Sequence, residues 1–146
     1  MKNYKVNIMK TGGNEKMPEF GPKHISMLGP FVITNQYIVW AKINTTLYNS
    51  FLKIKKGDIL HILKPKSHTD KVYYKGEVLS DLIIDEEYKF SKEILKWDWN
   101  NMTEEHNGKK ELKYIIHWEK QPYPDEELYN KINRGFNAKT IKEIQI

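Results

Sequence analysis

Two tryptophans flank an aspartate at Trp97-Asp98-Trp99. In an extended segment both indoles point to one side and the carboxylate to the other. Two flat rings on one side can stack an unstacked base, at about 1–3 kcal/mol per base. They also suit a core beneath a loop, and the local sequence leaves both readings open. With Trp40 and Trp118 the chain has four tryptophans, and it has nine tyrosines, many for so polar a sequence.

Other chemistries lack their parts. Ser, His and acids are all present, but no Gly-x-Ser-x-Gly elbow holds a serine for attack. The histidines His24, His61, His68, His106 and His117 are scattered and form no ligand spacing, so no metal is expected. His61 alternates with Ile and Leu and reads as a satisfied or exposed strand histidine. No glycine-rich phosphate loop occurs, which argues against nucleotide hydrolysis and dinucleotide binding; no cofactor is expected. With no cysteine, disulfides, thiolate metal sites and cysteine nucleophiles are closed, and a reducing cytoplasmic compartment is expected.

The 146 residues carry 24 basic and 19 acidic side chains, a net charge of +5. That sign favours polyanionic partners at long range. All the bases but Arg134 are lysines, and Asn and Ile are also abundant. These are residues of AT-rich codons, so a coding bias and a nucleic-acid face both fit the composition. No apolar run approaches the roughly 20 residues that span a bilayer. The first residues lack the apolar core and cleavage site of a secretory signal. The length suits one domain.

The elements that must position these residues follow from pattern. Gly12-Gly13, Pro18, Gly21-Pro22 and Gly29-Pro30 make the first 30 residues loop-rich, with a short strand near Tyr4–Met9. Phe31–Thr34 and Tyr37–Ala41 read as strands. Asn44 caps a helix over 45–54, which ends before Gly57. Lys55-Lys56-Gly57-Asp58 is a tight turn: Gly supplies a positive backbone angle and Asp bonds its own backbone. Ile59–Leu63 and Val72–Leu79 form a hairpin. "IDEEYKFSKEIL" suits either a helix or an irregular strand, and "NNMTEEHNGKK" a surface loop. Leu112–Trp118 is a strand. Pro124 and the acids after it open a helix over 125–133, and Thr140–Ile144 closes the chain as a strand. The sum is an α+β chain folded as a small mixed β-barrel with flanking helices.

The stretch from Tyr37 to Pro65, followed by "YYKGEVLSD", resembles the PUA-like superfamily, most closely its EVE and YTH-like branch. The matching features are Trp40 near a strand end, the helix after Asn44, Lys55-Lys56-Gly57-Asp58-Ile59, and Gly76-Glu77-Val78. "LKYIIHW" and "NRGFNAKTIKEI" resemble the later barrel strand and the closing segment. The resemblance covers residues 37–146 and sets 1–36 apart as a loop-rich extension. It aligns poorly between Leu79 and Lys113.

The resemblance implies a module that binds RNA or DNA and receives a base, modified or not, in an aromatic pocket. Trp40, Trp97, Trp99 and Trp118 are the pocket candidates it suggests. Asn44 and Asp98 would read a base edge, and Lys42, Lys64, Lys66 and Arg134 would contact phosphates. Gly57 and Asp58 would be structural. Two other readings remain. One is an ASCH-like hydrolase of nucleic acid or nucleoside, drawing on Lys42, Lys55 and Glu77. The other is a protein-interaction module.

Overall fold

The computed structural model describes residues 1–6, 26–28, 31–33, 36–40, 51–63, 71, 73–87, 89, 111–133 and 141–146. They form nine strands: β1 (Asn3–Val6), β2 (Ser26–Leu28), β3 (Phe31–Ile33), β4 (Tyr37–Trp40), β5 (Ile59–Leu63), β6 (Tyr73–Val78), β7 (Ile83–Asp85), β8 (Glu111–Gln121) and β9 (Ile141–Ile144). A helix, α1, spans Glu126–Ile132. The strands make one sheet in the order β2-β3-β4-β8-β6-β5-β1-β9, with β7 beside β8. This is an α+β fold dominated by sheet. Among the described residues β2 and β9 end the path and do not pair with each other.

The expected hairpin is present: β5 pairs antiparallel with β6, Ile59 opposite Glu77 and Leu63 opposite Tyr73. Between Leu63 and β6, a proline at 65 marks where the apolar run stops. β1 comes from the stretch set apart as an extension, yet it lies between β5, to which it is parallel, and β9, to which it is antiparallel. β8 is longer than its apolar run. Its first half pairs with β4 and β7, its second half with β6. Leu79 donates its N–H to Ile115 O, and Ile115 N–H bonds Ser80 Oγ, where the chain passes from β6 to β7. Of the stretch 84–95, only residues 84–87 and 89 are described. Ile83–Asp85 is strand, and the Asp85 carboxylate then accepts from the N–H groups of Glu87 and Lys89.

Of the helix expected over 45–54, the described part is its end: Phe51 and Leu52 are helical. The turn after it has the expected chemistry. Gly57 has φ +92°, a region that side chains disfavour. Asp58 is only 5% exposed, and its carboxylate accepts from Lys55 N–H at 2.8 Å and Lys2 N–H at 2.9 Å. Gly57 N–H donates to Val78 O, and Val78 N–H donates to Asp58 O. One aspartate thus ties the turn to the start of β1 and the end of β6.

The sheet buries apolar side chains on both faces. One face carries the main core, with Tyr4, Leu60, Ile62, Tyr114, Ile116 and Ile141 among its buried members. Phe51 packs edge-on against Tyr114, whose hydroxyl donates to Phe51 O at 2.7 Å. The other face holds a smaller cluster, where α1 covers Leu63, Tyr73 and Ile144 with Ile132. Asp125 caps α1 by accepting from Leu128 N–H at 2.8 Å. Glu126 and Glu127 fill its first turn and Lys131 its last, as the helix dipole favours.

Candidate functional site

The face that carries α1 is where polar side chains collect. At its centre His61 is 2% exposed and bridges two strands. Its Nε2 lies 2.9 Å from Asn3 Oδ1 on β1, and its Nδ1 lies 2.7 Å from the Tyr73 hydroxyl on β6. The amide oxygen accepts from Nε2–H, so the phenol donates to Nδ1 and the imidazole is neutral. Burial, then the Lys75 charge, lower the His61 pKa to about 4. Burial raises the Tyr73 hydroxyl to about 12. Both groups hold one protonation state through the neutral range. They behave as a fixed polar bridge, the satisfied strand histidine of the sequence reading.

Away from α1 the same face opens into a groove of about 300 Å³, lined by Ile59, Lys75, Glu77, His117, Glu119 and Gln121. Lys75 stands opposite Glu119 and Glu77 opposite His117. His117 Nε2 is 3.3 Å from Glu119 Oε1, with both side chains well exposed. Sequence reasoning did not single out Lys75, His117 or Glu119. The signal available was the i, i+2 spacing in one expected strand, which puts Lys75 with Glu77 on a common face; Glu119 lies beyond the expected Leu112–Trp118 strand. What aligned the pairs was long-range register.

Of the sequence candidates, Asn44, Trp97, Asp98, Trp99, Lys42, Lys64, Lys66 and Arg134 lie outside the described residues. Trp40 ends β4, opposite Leu112 of β8 and Phe31 of β3. Trp118 sits opposite Gly76, half-buried and packed on the main core. A methyl group placed on Gly76 would meet Trp118 Cε3 and Cζ3 at 2.7 Å. One surface of that indole therefore rests on the glycine backbone. Trp40 pairs with Leu112, six residues before Trp118 on β8 and about 20 Å away along the strand, so register alone does not bring the two together. Of the residues drawn on for hydrolysis, Lys55 lies in the turn before β5 and Glu77 on the groove face.

Charge is distributed unevenly along the chain. The described residues hold twelve bases and twelve acids, so the whole net charge of +5 falls outside them. β1 and β5 run one way and β6 and β9 the other. The chain therefore leaves β1 after Val6 and β5 after Leu63, and enters β6 at Tyr73 and β9 at Ile141, at one end of this half-sheet. The segments 7–25, 64–70 and 134–140 join the sheet there and carry net charges of +1, +1 and +2. Lys64, Lys66 and Arg134 belong to these segments.

No family model, no curated protein and no solved structure matches the chain. Among the described residues no three His, Asp or Glu side chains are grouped to hold a metal ion, and no helix is long and apolar enough to cross a membrane.

Proposed function

We propose that the protein is a nucleic-acid-binding module that receives a base, plain or modified, in an aromatic pocket, on a sheet that closes as a PUA-like barrel of the EVE and YTH-like kind. The observation that carries the reading is the charge layout. A charge-balanced sheet gathers at one end the attachment points of segments that hold four of the five excess positive charges. Phosphate contacts of this sort supply affinity without reading sequence. The element order supports the barrel: Trp40 at a strand end, the glycine-aspartate turn, the hairpin through Gly76-Glu77-Val78, a long later strand, a helix and a closing strand. RNA and DNA are both candidates, and Trp97, Asp98 and Trp99 with Trp40 or Trp118 are the residues proposed for the pocket.

The test is anisotropy of labelled single-stranded RNA and DNA over a salt series, on the wild type and on the four Trp→Ala variants. Log affinity should fall linearly with log salt, by about 0.7 per phosphate contacted. A pocket tryptophan should lose about 1–3 kcal/mol of binding with little loss of stability. Absence of binding at low salt, or affinity indifferent to salt, would sink the reading.

A further inference from the structure

We propose that the groove on the face that carries α1 cleaves RNA by transphosphorylation, with Glu77 as base, His117 as acid and Lys75 on the phosphate. The inference goes beyond a binding module and takes its substrate class from the nucleic-acid reading. The register of β6 against β8 brings the parts together. Glu77 stands opposite His117 and Lys75 opposite Glu119, and all four side chains line the groove of about 300 Å³. Residues directly opposite share a face, with Cβ atoms about 4.5–5.5 Å apart. A carboxylate and an imidazole so placed can flank one phosphodiester. All four residues are exposed, so a chain of RNA can reach them.

His117 is oriented by a third group. Its Nε2 lies 3.3 Å from Glu119 Oε1, and the carboxylate accepts from Nε2–H. Nδ1 is then the nitrogen that gives up and takes back a proton, and Glu119 is its positioning residue. In the reaction Glu77 removes the proton of a ribose 2′-hydroxyl, and the 2′-oxygen bonds to the adjacent phosphorus. The bond from phosphorus to the 5′-oxygen breaks, and the departing oxygen takes the proton from His117. Lys75 offsets the charge that develops on the non-bridging oxygens. The products are a 2′,3′-cyclic phosphate and a 5′-hydroxyl, with no co-reactant consumed. DNA lacks the 2′-hydroxyl and cannot react this way. Lys75 is two residues from Tyr73, where β6 begins and the positively charged segment 64–70 joins the sheet. That end of the groove is where a bound polyanion would enter.

The test compares the full-length wild type with Glu77→Gln, His117→Ala, Lys75→Gln and Glu119→Gln. The control is Lys120→Gln, on the opposite face of β8 from the groove. Substrates are a DNA oligonucleotide holding a single ribonucleotide, its all-DNA counterpart and a ribodinucleotide. The wild type should cut only at the ribonucleotide, and mass spectrometry should find a cyclic phosphate on the new end. Glu77→Gln and His117→Ala should each slow cleavage about 10²–10⁴-fold, and Lys75→Gln about 10²–10³-fold, with thermal midpoints unchanged. The control should cut at the wild-type rate. Glu119→Gln should lower kcat with KM kept, and move the alkaline limb of the pH–rate profile to lower pH. Sulfur in place of the bridging 5′-oxygen leaves without a proton, so it should restore His117→Ala and not Glu77→Gln. Equal cleavage by the wild type, Glu77→Gln and His117→Ala overturns the proposal. Salt-dependent RNA binding with no cyclic phosphate formed also overturns it and leaves the binding module in place. Cleavage of the ribodinucleotide that these variants lose, with no oligonucleotide binding at low salt, sinks the binding reading and leaves the groove's chemistry.

Discussion

The two faces of the half-sheet formed by β9, β1, β5, β6 and β8 share every backbone hydrogen bond but divide the work. On one face Tyr4, Leu60, Ile62, Ile116 and Ile141 are buried, and Trp118 fills the space over Gly76. On the other, α1 covers one end, and the rest presents Lys142, Lys5, Lys75, Glu77, His117 and Glu119. Because side chains alternate along a strand, neighbours such as Ile59 and Leu60 serve opposite purposes. The first face supplies the main core, while the second adds a smaller cluster under α1 and carries its charges outside that cover.

The largest contrast should appear on β5. Leu60 is fully buried, so Leu60→Ala should lose about 2–5 kcal/mol in urea unfolding. Ile59 is only partly buried on the groove face, and Ile59→Ala should lose less than about 1.5 kcal/mol. Equal losses would erase the distinction between the faces. Acidification probes the polar bridge at His61. The folded His61 pKa, about 4, lies below the ordinary 6.5. Between those values the unfolded chain binds the extra proton, so this stability is complete above pH 6.5 and is lost as pH falls toward 4. The total is up to roughly 3 kcal/mol, and the loss should be missing from His61→Gln in the same unfolding series.

Gly76→Ala comes next. The new methyl would press on Trp118 at 2.7 Å and on Ile116 Cγ2 at 2.8 Å, and should lower stability by about 1–3 kcal/mol with a shift in tryptophan fluorescence. A neutral result there would mean that Trp118 is free to turn away from the sheet. The smallest effect belongs to the groove. His117 and Glu119 form an exposed pair, and Glu119→Gln should change stability by no more than about 0.5 kcal/mol. A larger loss would give the charged face a share in holding the fold.

How legible each feature was in the sequence follows its range. The Lys-Lys-Gly-Asp turn, the helix start after Pro124 and the β5–β6 hairpin are set by residues within one or two turns of chain. Gly57 and Asp58 show the expected backbone angle and hydrogen bond. The double duty of β8 was not readable from its apolar run, because Trp118 to Gln121 pair with β6 through partners more than 40 residues away. The register that puts Lys142, Lys5, His61 and Lys75 opposite one another is further still from local signals. Lys5, His61, Lys75 and Lys142 are ordinary one by one, and they align only through a parallel pair and two antiparallel ones. The tryptophan pocket rested on the Trp-Asp-Trp spacing and the family resemblance, and only Trp40 and Trp118 of its members fall among the described residues.

The position of β1 also sets a timetable. Its neighbours β5 and β9 are both made after it, and β9 begins 78 residues after Leu63. At about 5–20 residues per second, roughly 4–16 s separate the synthesis of one partner from that of the other. During that interval β1 can pair with β5 while its other edge stays open on the ribosome. An open edge invites pairing with another chain, and charged residues discourage it. Lys2 just before that strand and Lys5 within it carry charge there, which would guard the nascent edge until Ile141–Ile144 arrives.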